Sequence, residues 1–153
     1  MLRNSIPEAL RVALKQQDKR CISTVRLIMA ALKDRDIAAR GKGDTEGISD
    51  DEILQMLQTM VKQRRESIQM YEDGGRKELA EQEAKEITII ERFLPQQLDE
   101  EQINIIVEKI INEIGADSLK DMGHIMSELR NNYAGQMDFS KASGLVKKKL
   151  SNS

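Results

Sequence analysis

Apolar positions recur along this chain at three- and four-residue spacing almost from end to end, the period of an amphipathic helix. Leu2, Ile6, Leu10, Ala13 and Leu14 predict a first helix. Ser5 with Glu8 suits a capping box and Pro7 suits only a first turn, so this helix is expected to open near Ser5. A second is expected after Asp18, with Ile22, Val25, Ile28, Met29 and Leu32 on one face. It runs out in the polar, glycine-rich stretch from Arg40 to Gly47. "SDDE", Ser49 to Glu52, signals a third start. Its stripe is Ile53, Leu57, Met60, Val61, Ile68 and Tyr71, and "EDGG" stops it. A fourth carries Leu79, Ala80, Ile87, Ile90 and Leu94, and Pro95 ends it.

The short turn between the third and fourth helices implies an antiparallel αα-hairpin. Facing positions in such a hairpin share one sum of position numbers. Ile53 with Leu94, Leu57 with Ile90, Met60 with Ile87 and Ile68 with Leu79 all obey it. The same register sets Arg64 opposite Glu83, and each interrupts its own apolar stripe. A partly buried Arg64–Glu83 ion pair is therefore expected.

Pro95 and the polar "QQLDEEQ" mark a boundary. Asp99 with Gln102 caps a fifth helix, whose stripe is Ile103, Ile106, Val107, Ile110, Ile111 and Ile114. Gly115 suits the position just past its end. Ser118 and Gly135 bracket a sixth, with Leu119, Met122, Met126, Leu129 and Tyr133 toward a core. Asp138 or Ser140 opens the last, with Phe139, Ala142, Val146 and Leu150 apolar. The expected fold is all-α: a four-helix N-terminal unit over residues 1–95 and a small three-helix tail domain over 96–153.

Composition narrows the function. Aromatics are 3 % with no Trp, and Met is abundant, so the cores are aliphatic. One Cys excludes an intramolecular disulfide. Cys21 reads as a small buried hydrophobe, and a reduced cytoplasmic setting is expected. No stretch approaches the roughly 20 apolar residues of a membrane span, and "MLRNSIPEAL" lacks the apolar region of a secretory signal.

A single His and a single Cys build neither a histidine-rich nor a four-cysteine metal site, and no metal or cofactor is expected. The phosphate-loop, dinucleotide and nucleophile-elbow patterns are missing. "GKG", Gly41 to Gly43, is too short for a phosphate loop. A Cys21–His124 pair has no neighbour to orient it. "ELAEQEAKE" reads as a solvated helix face with local ion pairs. No catalytic residue is assigned.

Charge is uneven. The whole chain is at −2, but Met1 to Lys42 carries ten Lys/Arg against four Asp/Glu, a net of +6. "VKQRRES" and Lys147 to Lys149 add basic clusters. Clusters of this kind serve phosphate recognition, or simply solvate a helix. The scarcity of aromatics argues against a base-stacking surface.

Three blocks resemble one family. They are "STVRLIMAALKDRDIAAR" (Ser23 to Arg40), "MVKQRRESIQMYEDGGRKELAEQEAKEITIIERFLPQQL" (Met60 to Leu98) and "SLKDMGHIMSELRNNYAGQMDFSKASGLVKKKL" (Ser118 to Leu150). Together they are similar to the GatB/YqeY family. The resemblance implies an all-helical protein whose C-terminal part is similar to the tail domain of the B subunit of glutamyl/aspartyl-tRNA amidotransferase. That tail helps recognise tRNA, while kinase and amidase chemistry lie in other domains and subunits. A family label of carbon–nitrogen ligase activity with glutamine as amide donor is then inherited by association.

Lys120, Asp121, Met122, Gly123 and Met126 match the family's "KDMG..M", and Gly135 and Asp138 match its "G..D". Residue 124 is His where Lys is usual, and 136 is Gln where Arg is usual. A wheel at about 100° per residue puts His124 opposite the core stripe. It puts Gly123 and Ser127 on a flank between Lys120 and Arg130, where a phosphate, or a neighbouring helix, has room to approach. The candidate RNA-binding residues are Lys120, Gly123, Ser127, Arg130, Lys147 and Lys148. The expected function is a non-catalytic tRNA-binding or amidotransferase-accessory protein, its partner tRNA or a tRNA-charging component. The alternative is a helical adaptor that docks a protein without RNA. An autonomous amidase or ligase lacks a nucleophile–base set.

Overall fold

A computed structural model describes residues 1–151, and every regular element among them is helical. The chain divides into two compact units, Met1–Pro95 and a second beginning at Gln96.

The first unit holds α1 (Leu2–Gln16), α2 (Lys19–Gly41), α3 (Asp50–Asp73) and α4 (Lys77–Glu91). Side-chain caps start two of them. Asp18 Oδ1 accepts the Cys21 N–H at 3.1 Å, and Ser49 Oγ accepts that of Glu52 at 3.2 Å. The start of α1 differs from expectation. It opens at Leu2, Ser5 Oγ donates back to the Leu2 carbonyl, and Glu8 pairs with Arg11. Pro7 therefore lies inside the helix, where it has no N–H for the Arg3 carbonyl. Ile6, the residue before it, is fully buried in the core. Leu14, expected inside, is exposed. α1 ends two residues later at Gln16, and the next residue, Gln17, turns the chain into α2 with a φ of 56°.

The core joins Ile6, Val25, Ile28, Ile53, Leu57 and Ile90 from all four helices. Met56 and Ile89 are buried as well, though the stripes drawn from spacing omitted them. α4 ends at Glu91 rather than running to Leu94, and a turn carries the half-buried Phe93 and Leu94 to Pro95. Cys21 is a free, buried thiol with its sulfur 3.9 Å from Arg92 Nη1.

A polar clamp holds the loop between α2 and α3. Arg3 Nη1 and Nη2 donate to Asp36 Oδ2 and Oδ1 at 2.7 and 2.6 Å. Arg3 Nη2 also reaches the Ile48 carbonyl at 2.8 Å, and the Ile48 N–H returns to Asp36 Oδ1 at 3.0 Å. The Arg3 bonds and the Ile48 N–H hold the Asp36 carboxyl at about 2, well below its ordinary 3.8, against the opposing effect of burial. Gly47 sits over this clamp with φ +89°, and a Cβ there would lie 2.6 Å from Asp36 Oδ1. Ile48 is thereby tucked into the core.

On the hairpin, Arg64 Nε donates to Glu86 at 3.0 Å and lies 4.0 Å from Glu83. The expected Arg64–Glu83 ion pair is present and partly buried, and Glu86 adds the hydrogen bond. Glu86 lies one turn further along α4, within reach of the long guanidinium stem. Glu83 is left partly buried beside both, and burial together with the Glu86 charge raises its carboxyl above the ordinary 4.5 despite Arg64.

The second unit holds α5 (Glu100–Ile114), a single 3₁₀ turn (Leu119–Asp121), α6 (Met122–Asn132) and α7 (Phe139–Ser151). A reciprocal capping box starts α5. The Gln102 N–H donates to Asp99 Oδ1 at 2.8 Å, and the Asp99 N–H to Gln102 Oε1 at 3.0 Å. Gly115, at φ 72°, ends α5 in the left-handed region where glycine is unstrained. Val107, Ile125, Leu129 and Val146 are fully enclosed, with Met137 and Ala142 beside them.

Candidate nucleic-acid interface

α6 and α7 are joined by a short loop that the segment before α5 ties down. The Leu98 N–H donates to the Gln136 carbonyl at 2.9 Å, and Gln97 Nε2 donates to the Gly135 carbonyl at 2.6 Å. Gly135 is buried at φ 77°, a conformation that other residues adopt at a cost of roughly 1–2 kcal/mol. Asp138 Oδ1 then receives the Ser140 N–H at 2.9 Å as α7 begins. At the other end of α6 the 3₁₀ turn also packs on α7, so the two helices run alongside each other.

The 3₁₀ turn changes the wheel. It advances about 120° per residue rather than 100°. Leu119, assigned to the core by a uniform helix, is consequently 50 % exposed. Ile125, which that wheel left off the stripe, is buried at 0 %. Met126 and Leu129 are buried, and Met122 and Tyr133 are partly so.

Lys120 is exposed on the 3₁₀ turn, and Gly123, Ser127 and Arg130 are exposed along α6. Arg130 lies over the Phe139 ring at 6.0 Å from its centroid, the outer edge of cation–π contact. His124 is exposed on α6 beside Gly123. A Cβ built on Gly123 would meet nothing within 4 Å. Among the described residues no helix packs against the glycine closely enough to need it. A helical Gly still costs roughly 1 kcal/mol relative to Ala, and here the fold gives no return for it.

Lys147 and Lys148 are exposed near the end of α7. Lys149 differs: its Nζ lies 2.6 Å from Glu108 on α5, and its side chain is mostly covered. The run of three lysines therefore splits into two solvent-facing cations and one structural tie. The two free ones also complement the negative end of the α7 dipole.

Lys141 and Gly144 on α7 escaped the reading from sequence. Both are exposed, and a Cβ on Gly144 would also meet nothing within 4 Å. Lys141, Gly144 and Lys148 stand at i, i+3 and i+7. Lys120, Gly123 and Ser127 repeat that spacing on the turn leading into α6. The signal was legible in "KASGLVKK" as a glycine held between cations on one helical face. Each glycine is exposed and has an exposed cation three residues before it, and exposed backbone near positive charge admits a phosphate oxygen.

No helix among the described residues is long and apolar enough to cross a membrane. Compared with known proteins, residues 3–150 match the family described as Yqey-like protein. The chain is also similar to altered inheritance of mitochondria protein 41, mitochondrial, of Clavispora lusitaniae. The two are 32 % identical over 140 residues, spanning 87 % of this chain and 76 % of that protein. With the match running from the start of α1 to the end of α7, this chain belongs to the Yqey-like protein family.

Proposed function

We propose that the protein is a non-catalytic tRNA-binding protein, acting as an accessory to tRNA charging or amidation. The single observation that carries this is the pair of open helical glycines, Gly123 and Gly144, each beside exposed lysines. Solvent-facing glycines that serve no internal packing are explained by a ligand that comes close to the backbone. Lys120, Lys147 and Lys148 make no ion pair among the described residues and remain available to phosphates. The resemblance of this part to an amidotransferase tail that helps recognise tRNA supports the same ligand. The carbon–nitrogen ligase label then describes the assemblies in which such tails occur, not chemistry done by this chain. The free, buried Cys21 suits a reducing, cytoplasmic setting. The named relative is mitochondrial, and cell fractionation decides between the two compartments.

The test is fluorescence anisotropy of labelled tRNA against salt. Each phosphate neutralised adds about 0.7–0.9 to the slope of log affinity against log salt. Lys120→Ala with Arg130→Ala, or Lys147→Ala with Lys148→Ala, should each reduce that slope by about 1.5. Lack of tRNA binding even at low salt defeats the proposal.

A further inference from the structure

The groove between α1 and α2 lies in the other unit and has a different character. Ile6, Pro7, Met29 and Ile37 supply apolar walls, and Lys33 and Arg40 stand at its rim. Its volume is about 250 Å³. Small-molecule sites usually offer about 300–1,000 Å³ and enclose their ligand, so this open groove suits side chains presented by a partner.

Its charge is one-sided. Asp36 is the carboxylate that lines it, and both oxygens of Asp36 are committed to Arg3 and the Ile48 N–H. Lys33 and Arg40 make no ion pair among the described residues. Along α2 the pattern extends into a stripe. Arg26, Met29, Lys33, Ile37 and Arg40 follow at i, i+3, i+7, i+11 and i+14, so cations and apolar side chains alternate over roughly 21 Å. Ile37 is 54 % exposed in the middle of it.

We infer that the α1–α2 groove docks an acidic amphipathic helix of a partner protein. Such a helix would place apolar anchors against Met29 and Ile37, and carboxylates against Arg26, Lys33 and Arg40. Helix-in-groove recognition uses anchors at i, i+3, i+4 and i+7, the spacing that this stripe complements. Charge complementarity selects the acidic partner. The apolar centre selects a protein over a nucleic acid: a phosphate backbone rewards the cations but leaves Met29 and Ile37 without a contact, and the groove has no aromatic on which a base would stack. This docking surface does not depend on the tail's binding tRNA, and either reading stands if the other fails.

The experiment is a ¹⁵N-HSQC titration of the full chain with a synthetic helix-forming peptide. The peptide has about 15 residues, enough to span ~21 Å, with Leu on one face and Glu flanking it. Saturable shifts confined to the α1–α2 face, centred on Met29, Lys33, Ile37 and Arg40, are expected. Ile37→Glu, at an exposed position, should weaken binding at least about tenfold while leaving the rest of the spectrum in place. Lys33→Glu with Arg40→Glu should do the same, and a peptide with Ser in place of Leu should not bind. No saturable shift up to about 1 mM, or binding indifferent to Ile37→Glu, overturns the inference. So does a tRNA that displaces the peptide from these residues, or a dimer of the chain that Ile37→Glu dissolves.

Discussion

Replacing Asp36 by Asn tests how much the Arg3–Asp36–Ile48 clamp contributes. The carboxylate accepts two bonds from Arg3 at 2.6 and 2.7 Å and one from the Ile48 N–H at 3.0 Å. An amide keeps one acceptor oxygen and turns an NH₂ toward the guanidinium. Lowering the carboxyl from 3.8 to about 2 corresponds to roughly 2.4 kcal/mol at 1.36 kcal/mol per pH unit. Arg3 is 34 % exposed, so solvent screening brings this to about 1–2 kcal/mol. Loss of a charge-assisted hydrogen bond, at about 1.5–3 kcal/mol, overlaps that range. Cys21 is the ideal reporter, being the chain's one thiol and buried in the same unit. At pH 7, with opening and closing fast relative to labelling, 1–2 kcal/mol makes thiol labelling about 5- to 30-fold faster.

The pH dependence has a definite sign. The folded carboxyl lies below its ordinary value, so its contribution is full above about pH 4 and is lost as pH falls through about 2. In urea unfolding followed by circular dichroism, the gap between wild type and Asp36→Asn should close over that window. Labelling within about twofold of wild type at pH 7 refutes the reasoning, as does a gap that persists at pH 2.

Gly47→Ala should destabilise the same loop by about 1–3 kcal/mol, since its φ is +89° and its Cβ would crowd Asp36; Cys21 labelling again reads it. Glu83→Gln should be neutral or stabilising at pH 7, because the folded carboxyl is raised and its penalty grows as pH rises through that raised value. Glu86→Gln, which weakens the bond to Arg64, should instead destabilise, and urea midpoints at pH 7 separate the two. Gly123→Ala and Gly144→Ala should each stabilise the second unit by about 0.5–1 kcal/mol in thermal melts while weakening tRNA binding, since each fills open space with a methyl group.

Local chemistry made much of this protein legible before folding. Asp18, Ser49 and Asp99 cap the helices they precede, and Gly115 ends α5, because these interactions span four residues or fewer. Apolar spacing likewise identified most of both cores. Its omissions on the helices were Met56, Ile89 and Ile125, and it also missed Ile48 and Met137, which are buried from the loops where no helical period applies.

Tertiary packing decided what spacing left open. α1 takes in Pro7, with Ile6 beside it buried in the core. Arg64 pairs with Glu83 as the register requires, but its hydrogen bond goes to Glu86, because a long side chain follows the nearest well-placed oxygen. Lys149 is a tie and Lys147 is not, because α5 passes beside only one face of α7. The clamp of Arg3, Asp36 and Ile48 joins residues 33 and 45 positions apart, and no local pattern announces it. The openness of Gly123 and Gly144 is of the same kind. The sequence determined that these helices carry glycines, but only the packing around them determined that the space beside each is empty, since emptiness depends on every other element of the fold.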